Sequence, residues 1–553
     1  MTHHQGRLAP EIICAEFETL AATLFDAVAR LSPAPAGVNR PAFSERETEV
    51  LAYLKGVAEA EGLSTAYDAG CNLLISLPEH QDAEQYCLIG SHADSIDQGG
   101  NFDGLAGVVA GLLSLIAARR GLVRPFVKPV RVIAMRGEES AWFGPCYIGS
   151  KALLGRLTPE ELAAAHKADG RPLAEHMQSV GIDIEKVRAG TPLMRAEEIL
   201  QYLEVHIEQG PVLVERGLPV AVVTGIRGNF RYKSIACFGE SGHSGAVPKA
   251  YRHDPVLAMA DLMAHLDAAW QEALDGGSDL VVTSGVVSTN GATHAMSRIP
   301  DAVHFSLDVR SDDVQVLERF HALLLSEIAR IEAARKVRFE LGDPLRTEPA
   351  ALSGPLAQAL AHAGREAGLD PPLMVSGGGH DAAVFAGKGI PSGMIFVRND
   401  HGSHNPDEAM EIGDLLCAVA LLCHYLGKTA EFDKTEEIEN RQEEASVFKD
   451  IPALVIENKV AVKAFGKAAH QAFRQAEAEP EKAAGYLLLG IVAADFADDN
   501  YETPMLHRAG EECLREMQGY AETLEKVYAE GSSEEKLAAL SDIARAIAVR
   551  RNS

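Results

Sequence analysis

The sequence predicts an α/β protein that carries an α+β insert and ends in a separate group of helices. Short apolar runs typical of buried strands end at His or acidic residues, and helical periodicity follows. From about residue 212, short strand-like runs lie next to one another beside two long helical segments, which indicates a compact α+β unit. After Lys428 a charged linker leads into amphipathic helical patterns. A chain of 553 residues is long enough for two or three domains.

The pattern of strand, polar turn and helix is clearest in residues 86–112. An apolar run breaks into a Gly-rich turn that contains His92, Asp94 and Asp103, and helical spacing resumes at Leu105. Proteins of the α/β class place ligands at the carboxyl ends of their parallel strands. Imidazole and carboxylate groups gathered there are suitable ligands for a divalent metal ion.

Three further apolar runs deliver residues of the same type. Val130–Met135 leads into Glu138 and Glu139, residues 202–207 contain His206 and lead to Gln209, and residues 394–397 lead into a segment with His404. Four strand ends with a His or a carboxylate are roughly the ligand set that two ions about 3.5–4 Å apart would use.

The other elements follow from periodicity and from turn residues. In chain order they are helices at 15–29 and at 44–61, the second capped by Ser44; short helices and a loop in 157–200; strands at 221–226, 232–237, 280–287 and 303–309 with helices at 255–274 and Val314–Arg335 in the insert; a helix at 356–367; a charged linker at 431–444; and helices at 455–475, 481–494, His507–Glu530 and 533–550.

Net charge, hydropathy and cysteine spacing indicate which partners and which cellular compartment to expect. A formal net charge of −28 disfavours nucleic acid and anionic membrane as partners. The sequence contains neither a signal-peptide pattern at its start nor an apolar run of about 20 residues that could span a bilayer. The eight cysteines form no CxxC pair, and we expect them to be reduced core residues of a cytoplasmic protein.

Seven segments carry a family resemblance. They are GSHADSIDQGGNFDGLAGVVAGL, RGEESAWFG with GSKALLG, YLEVHIEQGPVLVERGLPVAVVTGI, GHSGAVPKAYRHD, SRIPDAVHFSLDVRS, SGGGHDA and GSHNPDE, in this order. Over about residues 10–427 the chain therefore resembles the N-carbamoyl-L-amino-acid hydrolase and allantoate amidohydrolase family. That family is part of the two-metal aminopeptidase and aminoacylase superfamily. Trp142 and Ser297 depart from it, since relatives usually carry Arg and Asn at these positions.

The resemblance implies a mixed-sheet, peptidase-like catalytic domain that holds two divalent metal ions per subunit. Zinc is the expected metal, with manganese, cobalt and nickel as alternatives. The catalytic domain would occupy residues 1–210 and 331–428, and the insert at 211–330 would be a lid that also forms a homodimer contact. Residues 429–553 lie outside the resemblance. We expect this helical extension to add an oligomer or partner contact.

The resemblance also implies roles for individual residues. The expected metal ligands are His92, Asp103, Glu139, His206 and His404, with Asp103 bridging the ions. Asp94 would orient His92 through its other ring nitrogen, or it caps the turn. Glu138 would be the general base, and His243 would stabilise the oxyanion in the partner subunit's site. Gln209, Ser297 and Arg310 would contact the substrate's polar end. His380 and Asp381 are either a supporting pair or a structural turn.

These roles lead to the expectation of a hydrolase that acts on C–N bonds other than peptide bonds. The substrate would be an N-carbamoyl (ureido) amino acid or a related small carboxylate, and the products would be the amino acid, ammonia and carbon dioxide. An allantoate-type amidohydrolase and an N-acyl amino acid amidase or dipeptidase are the alternatives. The alternative that is not an enzyme is a binding or scaffold protein that has a hydrolase fold with a degenerate active site.

Overall fold

In the computed structural model the polar strand ends predicted above meet at one edge of a nine-stranded mixed sheet. The structure describes residues 10–293, 295–427, 482–499, 507–530 and 532–551, with isolated positions between 448 and 475. Residues 1–428 and 429–553 form two compact units. The predicted α/β class is confirmed for the first unit, whereas the predicted charged linker and most of the predicted helix at 455–475 lie outside the described residues.

The strands of the large sheet are β1 (Ser64–Tyr67), β2 (Leu73–Ser76), β3 (Tyr86–His92), β4 (Val130–Met135), β5 (Ile199–Ile207), β6 (Val220–Ile226), β15 (Ala350–Ala351), β16 (Leu373–Ser376) and β17 (Ser392–Val397). Their order in the sheet is β1-β2-β4-β3-β5-β17-β6-β15, and β16 also pairs with β6. The four adjacent strands β4, β3, β5 and β17 run parallel. Their carboxyl ends therefore lie at the same edge.

Helices cover both faces of this sheet. The helices described in this unit are α1 (Pro10–Leu31), α2 (Glu45–Ala60), α3 (Leu105–Arg119), α4 (Ile148–Leu153), α5 (Pro159–Leu162), α6 (Leu173–Ser179), α7 (Ile184–Arg188), α8 (Val212–Arg216), α9 (Pro255–Asp275), α10 (Val314–Arg335), α11 (Gly354–Glu366), α12 (Asp381–Ala386) and α13 (Ile412–Leu426). Alternate side chains of the parallel strands pack against α1, α2, α3, α11 and α13 on one face, and the intervening ones pack against α4 and α12 on the other. The predicted N-cap is confirmed, because Ser44 accepts a hydrogen bond from the backbone N–H of Glu47.

A second, six-stranded antiparallel sheet packs against α9 and α10 around its own apolar core. Its strands are β7 (Gly228–Phe238), β9 (Val281–Thr283), β10 (Val287–Ser288), β12 (Ala302–Ser311), β13 (Arg338–Glu340) and β14 (Leu345–Thr347), and β8 (Gly242–His243) pairs with β11 (Arg298–Ile299) as a separate ribbon. The chain enters and leaves this sheet side by side, since Ile226 pairs with Ala350 and Asn229 with Thr347.

Two assignments to the insert are wrong. Residues 221–226, expected there, form β6 of the large sheet and pair with β17. The small sheet also extends beyond the expected end at Arg330, because β13 and β14 both pair with β7. In addition, the single strand expected at 280–287 is divided into β9 and β10. An apolar run buried in either sheet has the same pattern, so periodicity does not reveal which sheet a strand joins.

The second unit contains three described helices, α14 (Ala483–Asp499), α15 (His507–Glu530) and α16 (Ser533–Arg551). They agree with three of the four helices predicted after Lys428. Their apolar residues form one cluster that includes the buried Leu489, Met517 and Ile543. Across the described residues of both units, no helix combines the length and the apolar character that crossing a membrane requires.

Candidate metal centre

Four parallel strands bring the expected metal ligands to one edge of the large sheet. His92 is the last residue of β3, Glu138 and Glu139 follow β4, His206 is the penultimate residue of β5, and His404 lies in the loop after β17. The register aligns these ends, since His92 pairs with Met135 and His206 with Phe396. The structure thus brings together all five residues expected to bind metal, with Glu138 beside them.

Asp103 lies at the centre of this group. Its Oδ1 atom is 3.4 Å from His92 Nε2 and 3.0 Å from His206 Nε2. Its Oδ2 atom is 3.8 Å from His404 Nε2 and accepts a hydrogen bond of 3.1 Å from Gln209. Two groups of three possible metal donors consequently share Asp103. They are His92, Asp103 and His206, and Asp103, Glu139 and His404.

The hydrogen bonds of His92 and His206 indicate which ring nitrogen of each imidazole carries the proton. Nδ1 of His206 lies 2.9 Å from the carbonyl oxygen of Ile207, and Nδ1 of His92 lies 3.2 Å from that of Asp94. A carbonyl oxygen only accepts, so each Nδ1 carries the proton. In the neutral ring the lone pair is then on Nε2 and points towards Asp103, as metal coordination requires.

Asp94 holds the two adjacent glutamates in place. Its carboxylate accepts hydrogen bonds from the backbone N–H groups of Glu138 (3.0 Å) and Glu139 (3.1 Å). Asp94 Oδ1 is also 3.4 Å from His92 Nδ1. Both expected roles of Asp94 are therefore compatible with its position, because one buried carboxylate contacts the turn and the imidazole together.

The two glutamates of the turn have different surroundings. Glu139 Oε1 is 3.4 Å from His404 Nε2, and the hydrogen bond with Glu139 raises the pKa of His404 to about 9. Glu138 Oε2 is 4.0 Å from His92 Nε2. Burial, with further contributions from Glu139 and Asp381, raises the pKa of Glu138 well above its ordinary value. A glutamate with a raised pKa at a cavity wall can accept and release a proton near neutral pH.

Two buried glutamates that the sequence analysis did not single out support the centre from behind. Glu408 Oε1 accepts hydrogen bonds from the backbone N–H groups of Phe102 (2.7 Å) and Asp103 (3.1 Å). Glu204 accepts hydrogen bonds of 2.8 Å from the Ser91 hydroxyl and from the backbone N–H of Ala382. Glu408 is the last residue of the GSHNPDE segment, so its position in that motif was the only signal in the sequence.

His380 and Asp381 lie beside the centre rather than within it. The His380 ring meets the His206 ring edge-on at 4.4 Å, and its Nε2 is 2.8 Å from the Ser376 hydroxyl. Burial, followed by the proximity of His206, lowers the pKa of His380 well below its ordinary value. Asp381 accepts a hydrogen bond from the Ser150 hydroxyl. This pair packs against a metal-ligand candidate and also begins α12.

A cavity of about 800 Å³ opens over the centre. Asp103, Glu138, Glu139, His206 and His404 line its floor. Gln209 and Arg310, both expected to contact substrate, also line it. The Arg310 guanidinium donates to the carbonyl oxygen of Gly377 at 2.8 Å and to Asp308 at 2.9 Å. Arg310 thus presents a positive charge to the cavity while it is already paired with one carboxylate.

The other two expected residues lie apart from this cavity. His243 is on β8 and Ser297 directly precedes β11, so the ribbon brings them together. The backbone N–H of Ser244 donates to the carbonyl oxygen of Ser297 at 2.8 Å. Both side chains are exposed, and neither is among the residues that line the cavity in the described part of the chain.

Comparison with known proteins identifies similar chains. The model of peptidase family M20/M25/M40 matches residues 77–428. An N-carbamoyl-L-amino-acid amidohydrolase of Pseudomonas sp. (strain NS671) is 30% identical over 390 residues, which cover 70% of this chain and 92% of that protein. An allantoate amidohydrolase of Escherichia coli (strain K12) is 31% identical over 395 residues, with coverages of 71% and 93%.

Among solved structures, an amidase of the hydantoinase/carbamoylase family from Burkholderia multivorans superposes with a TM-score of 0.65. It is 26% identical, and the match covers 74% of this chain and 98% of that one. Both kinds of comparison therefore extend over most of the first unit.

Proposed function

The chain belongs to peptidase family M20/M25/M40, and from this premise we propose that it is a metal-dependent amidohydrolase of N-carbamoyl (ureido) amino acids or related small carboxylates. It would cleave the C–N bond and release the amino acid, ammonia and carbon dioxide. The observation that carries the proposal is Asp103, shared by two groups of metal donors, with Glu138 beside them at the cavity wall.

The donor chemistry fits divalent transition metals. Imidazole nitrogens and carboxylate oxygens suit zinc, and manganese, cobalt and nickel accept the same ligands. One ion would be held by His92, Asp103 and His206, and a second by Asp103, Glu139 and His404. When bound, the ions would act as Lewis acids on the carbonyl oxygen of the substrate and on the attacking water.

In this scheme Glu138 moves the proton. Its raised pKa lets it take a proton from water that attacks the carbonyl carbon and pass it to the leaving nitrogen. Asp94 fixes the conformation of the turn by accepting hydrogen bonds from the backbone N–H groups of Glu138 and Glu139. Gln209 holds Asp103 from the other side.

The positive wall of the cavity suggests how a carboxylate substrate is held. Arg310 would bind the carboxylate of the substrate, because a planar guanidinium matches a carboxylate in a bidentate manner. Gln209 would donate to the same polar end. Ser297 would supply a single hydroxyl where relatives carry Asn, so substrate preference is the property in which this chain is expected to differ from them.

His243 and Ser297 act across a homodimer in this proposal. Both are exposed on one ribbon and lie outside the cavity of their own subunit, which is compatible with a role in the partner subunit's site. The insert would then be both lid and dimer contact, with His243 stabilising the oxyanion. We assign the C-terminal helical extension to a further oligomer contact and place the enzyme in the cytoplasm.

Two alternative activities share this site. An allantoate-type activity is favoured by the Escherichia coli relative, whereas an N-acyl amino acid amidase or dipeptidase would need only a different substrate pocket. Incubation with carbamoyl, ureido and acyl amino acids, followed by measurement of released ammonia or amine, distinguishes the three. Ammonia from carbamoyl substrates supports the proposal, and release of amine from acyl substrates alone contradicts it.

The replacement Glu138→Gln tests the base directly. Since the amide cannot accept the proton, turnover should fall by about 10²–10⁴-fold while metal content stays unchanged. Glu185→Gln, the same change at an exposed glutamate paired with Arg188, is the matched control. A Glu138→Gln enzyme that turns over at the rate of the unmodified protein would remove Glu138 from the mechanism.

Chelation separates the enzyme from the scaffold alternative. Removal of metal should abolish hydrolysis, and addition of a divalent metal should restore it. Elemental analysis of the purified protein should find at least two equivalents of metal per chain. A protein that takes up no metal at this centre and hydrolyses none of the substrates would be a scaffold.

A further inference from the structure

A second group of possible metal donors lies outside the centre described above. His166, Asp169 and His176, on and before α6, place three donor atoms within 4.8 Å of one another. His166 Nδ1 and His176 Nε2 each lie 3.3 Å from the same carboxylate atom, Asp169 Oδ1. The group shares no residue with the centre around Asp103.

These separations match tetrahedral coordination. Two ligand atoms about 2.0–2.1 Å from a tetrahedral ion are about 3.3–3.4 Å from each other. A hydrogen bond accounts for the His176 contact, but it does not account for His166. Both ring nitrogens of His166 are buried without a hydrogen-bond partner among the described residues, and the side chain is 9% exposed. A buried polar group without a partner is costly, and a metal ion would satisfy Nδ1, the nitrogen that faces Asp169.

Aromatic side chains hold the imidazoles of this group in place. Trp142 stacks on the His166 ring at 5.8 Å, and Phe143 contacts the rings of His166 (4.9 Å) and His176 (5.2 Å).

The carboxylate is also held in place. Asp169 Oδ2 accepts hydrogen bonds from Nε (2.9 Å) and Nη2 (2.8 Å) of Arg171. Oδ1 accepts the backbone N–H of Arg171 at 3.0 Å and is the atom that faces both imidazoles. The Asp169 side chain is 37% exposed, which leaves an entry path and room for water as a fourth ligand.

We propose that His166, Asp169 and His176 form an additional binding site for one divalent transition metal ion of the zinc, cobalt and nickel class. Two imidazoles with one carboxylate select these ions over magnesium and calcium, which prefer oxygen ligands. The segment around His166 already contacts the loop that follows Glu138 and Glu139, because the backbone N–H of Lys167 donates to the carbonyl oxygen of Trp142 at 2.8 Å. A metal ion bound by His166 would strengthen this connection. Its role is structural, and it takes no part in hydrolysis.

Metal stoichiometry of the tag-free, full-length protein tests the proposal. Apo-protein is titrated with Zn²⁺ or Co²⁺, and bound metal is counted by elemental analysis after gel filtration, with the visible spectrum of Co²⁺ as a second readout. Asp169→Asn and His176→Asn should each bind one equivalent fewer than the unmodified chain while turnover is kept. His253→Asn, which removes a histidine 3.2 Å from Glu240 but far in sequence from this group, is the control and should lose none.

The same variants are also made in a chain that carries Asp103→Asn. Every protein of that set has lost metal at the centre around Asp103, so any further loss of one equivalent is assigned to the group of His166, Asp169 and His176. Asp169 is on the surface, so Asp169→Asn decides the question even if the buried His176→Asn variant does not fold. Equal metal content in the unmodified chain and in Asp169→Asn, in both backgrounds, would overturn the assignment.

Discussion

Replacement of Gly104 by alanine measures how closely the metal-ligand loop approaches His92. Gly104 precedes α3 with φ 67° and ψ −51°, and a Cβ atom there would lie closer than 3.0 Å to the imidazole ring of His92. The ring is buried, with 1% exposure, so it cannot move into solvent. The loop or His92 must shift instead.

Gly121 provides a control for the backbone. It has nearly the same φ, 68°, and nothing lies within 4 Å of an added Cβ. Both alanines have the cost of a positive φ, about 1–2 kcal/mol in the left-handed well. The ψ of −51° at Gly104 lies outside that well, so the backbone cost there is larger, and only Gly104→Ala adds overlap, which costs about 1–3 kcal/mol in a packed interior. Gly104→Ala should thus destabilise the protein by at least about 2–5 kcal/mol and Gly121→Ala by about 1–2 kcal/mol.

The effect on function should separate the two variants further. A displacement of His92 by about 1 Å should cost about 10²-fold in kcat/KM, and metal affinity should fall by about 10–100-fold. Metal titration, steady-state kinetics and thermal unfolding of the two variants give the comparison. If Gly104→Ala binds metal and turns over like Gly121→Ala, the close packing of Gly104 on His92 is not what positions this ligand.

The remaining predictions concern the supporting residues and one core thiol. Asp94→Asn should lower turnover by about 10–100-fold, because an amide has one acceptor oxygen for two backbone N–H groups. The control is Asp183→Asn, at an exposed aspartate that caps α7 by accepting a hydrogen bond from the backbone N–H of Lys186. Equal kinetics in the two variants would contradict the role of Asp94. Glu408→Gln should weaken metal binding by about tenfold, since a neutral side chain holds the loop before α3 less firmly; unchanged metal affinity would argue against it. Burial raises the pKa of Cys87 to about 11, so its thiol is protonated at pH 8. Iodoacetamide should therefore leave Cys87 unmodified until the protein unfolds. Alkylation of Cys87 in the native protein, detected by mass spectrometry, would refute this prediction.

Local patterns sufficed for most elements of the fold. Val130–Met135, Val314–Arg335 and His507–Glu530 have the bounds expected from apolar periodicity, and Ser44 caps α2 as its hydroxyl suggests. The assignment of residues 221–226 failed because strand pairing is not local. Nothing within that run distinguishes β17 of the large sheet from β7 of the small one as its neighbour.

The candidate site could be predicted where a residue belongs to a motif at a strand end, as with His92 and His206. Glu408 could not, because its role depends on a hydrogen bond to Asp103, which is 305 positions away in the sequence. The group of His166, Asp169 and His176 was missed for a related reason. Spacings of three and seven residues are ordinary in a loop before a short helix, and nothing in them indicates that the three side chains converge beside Trp142 and Phe143.

The adjacent entry and exit of the small sheet make excision of the insert conceivable. Ile226 and Ala350 are paired partners, and paired residues in antiparallel strands are only about 4.5–5.5 Å apart, so a linker of a few residues could join them. The shortened chain would keep His92, Asp103, Glu139, His206 and His404 but would lack Arg310. If the shortened chain still binds metal ions, the proposed binding of a substrate carboxylate by Arg310 can be tested separately from metal binding.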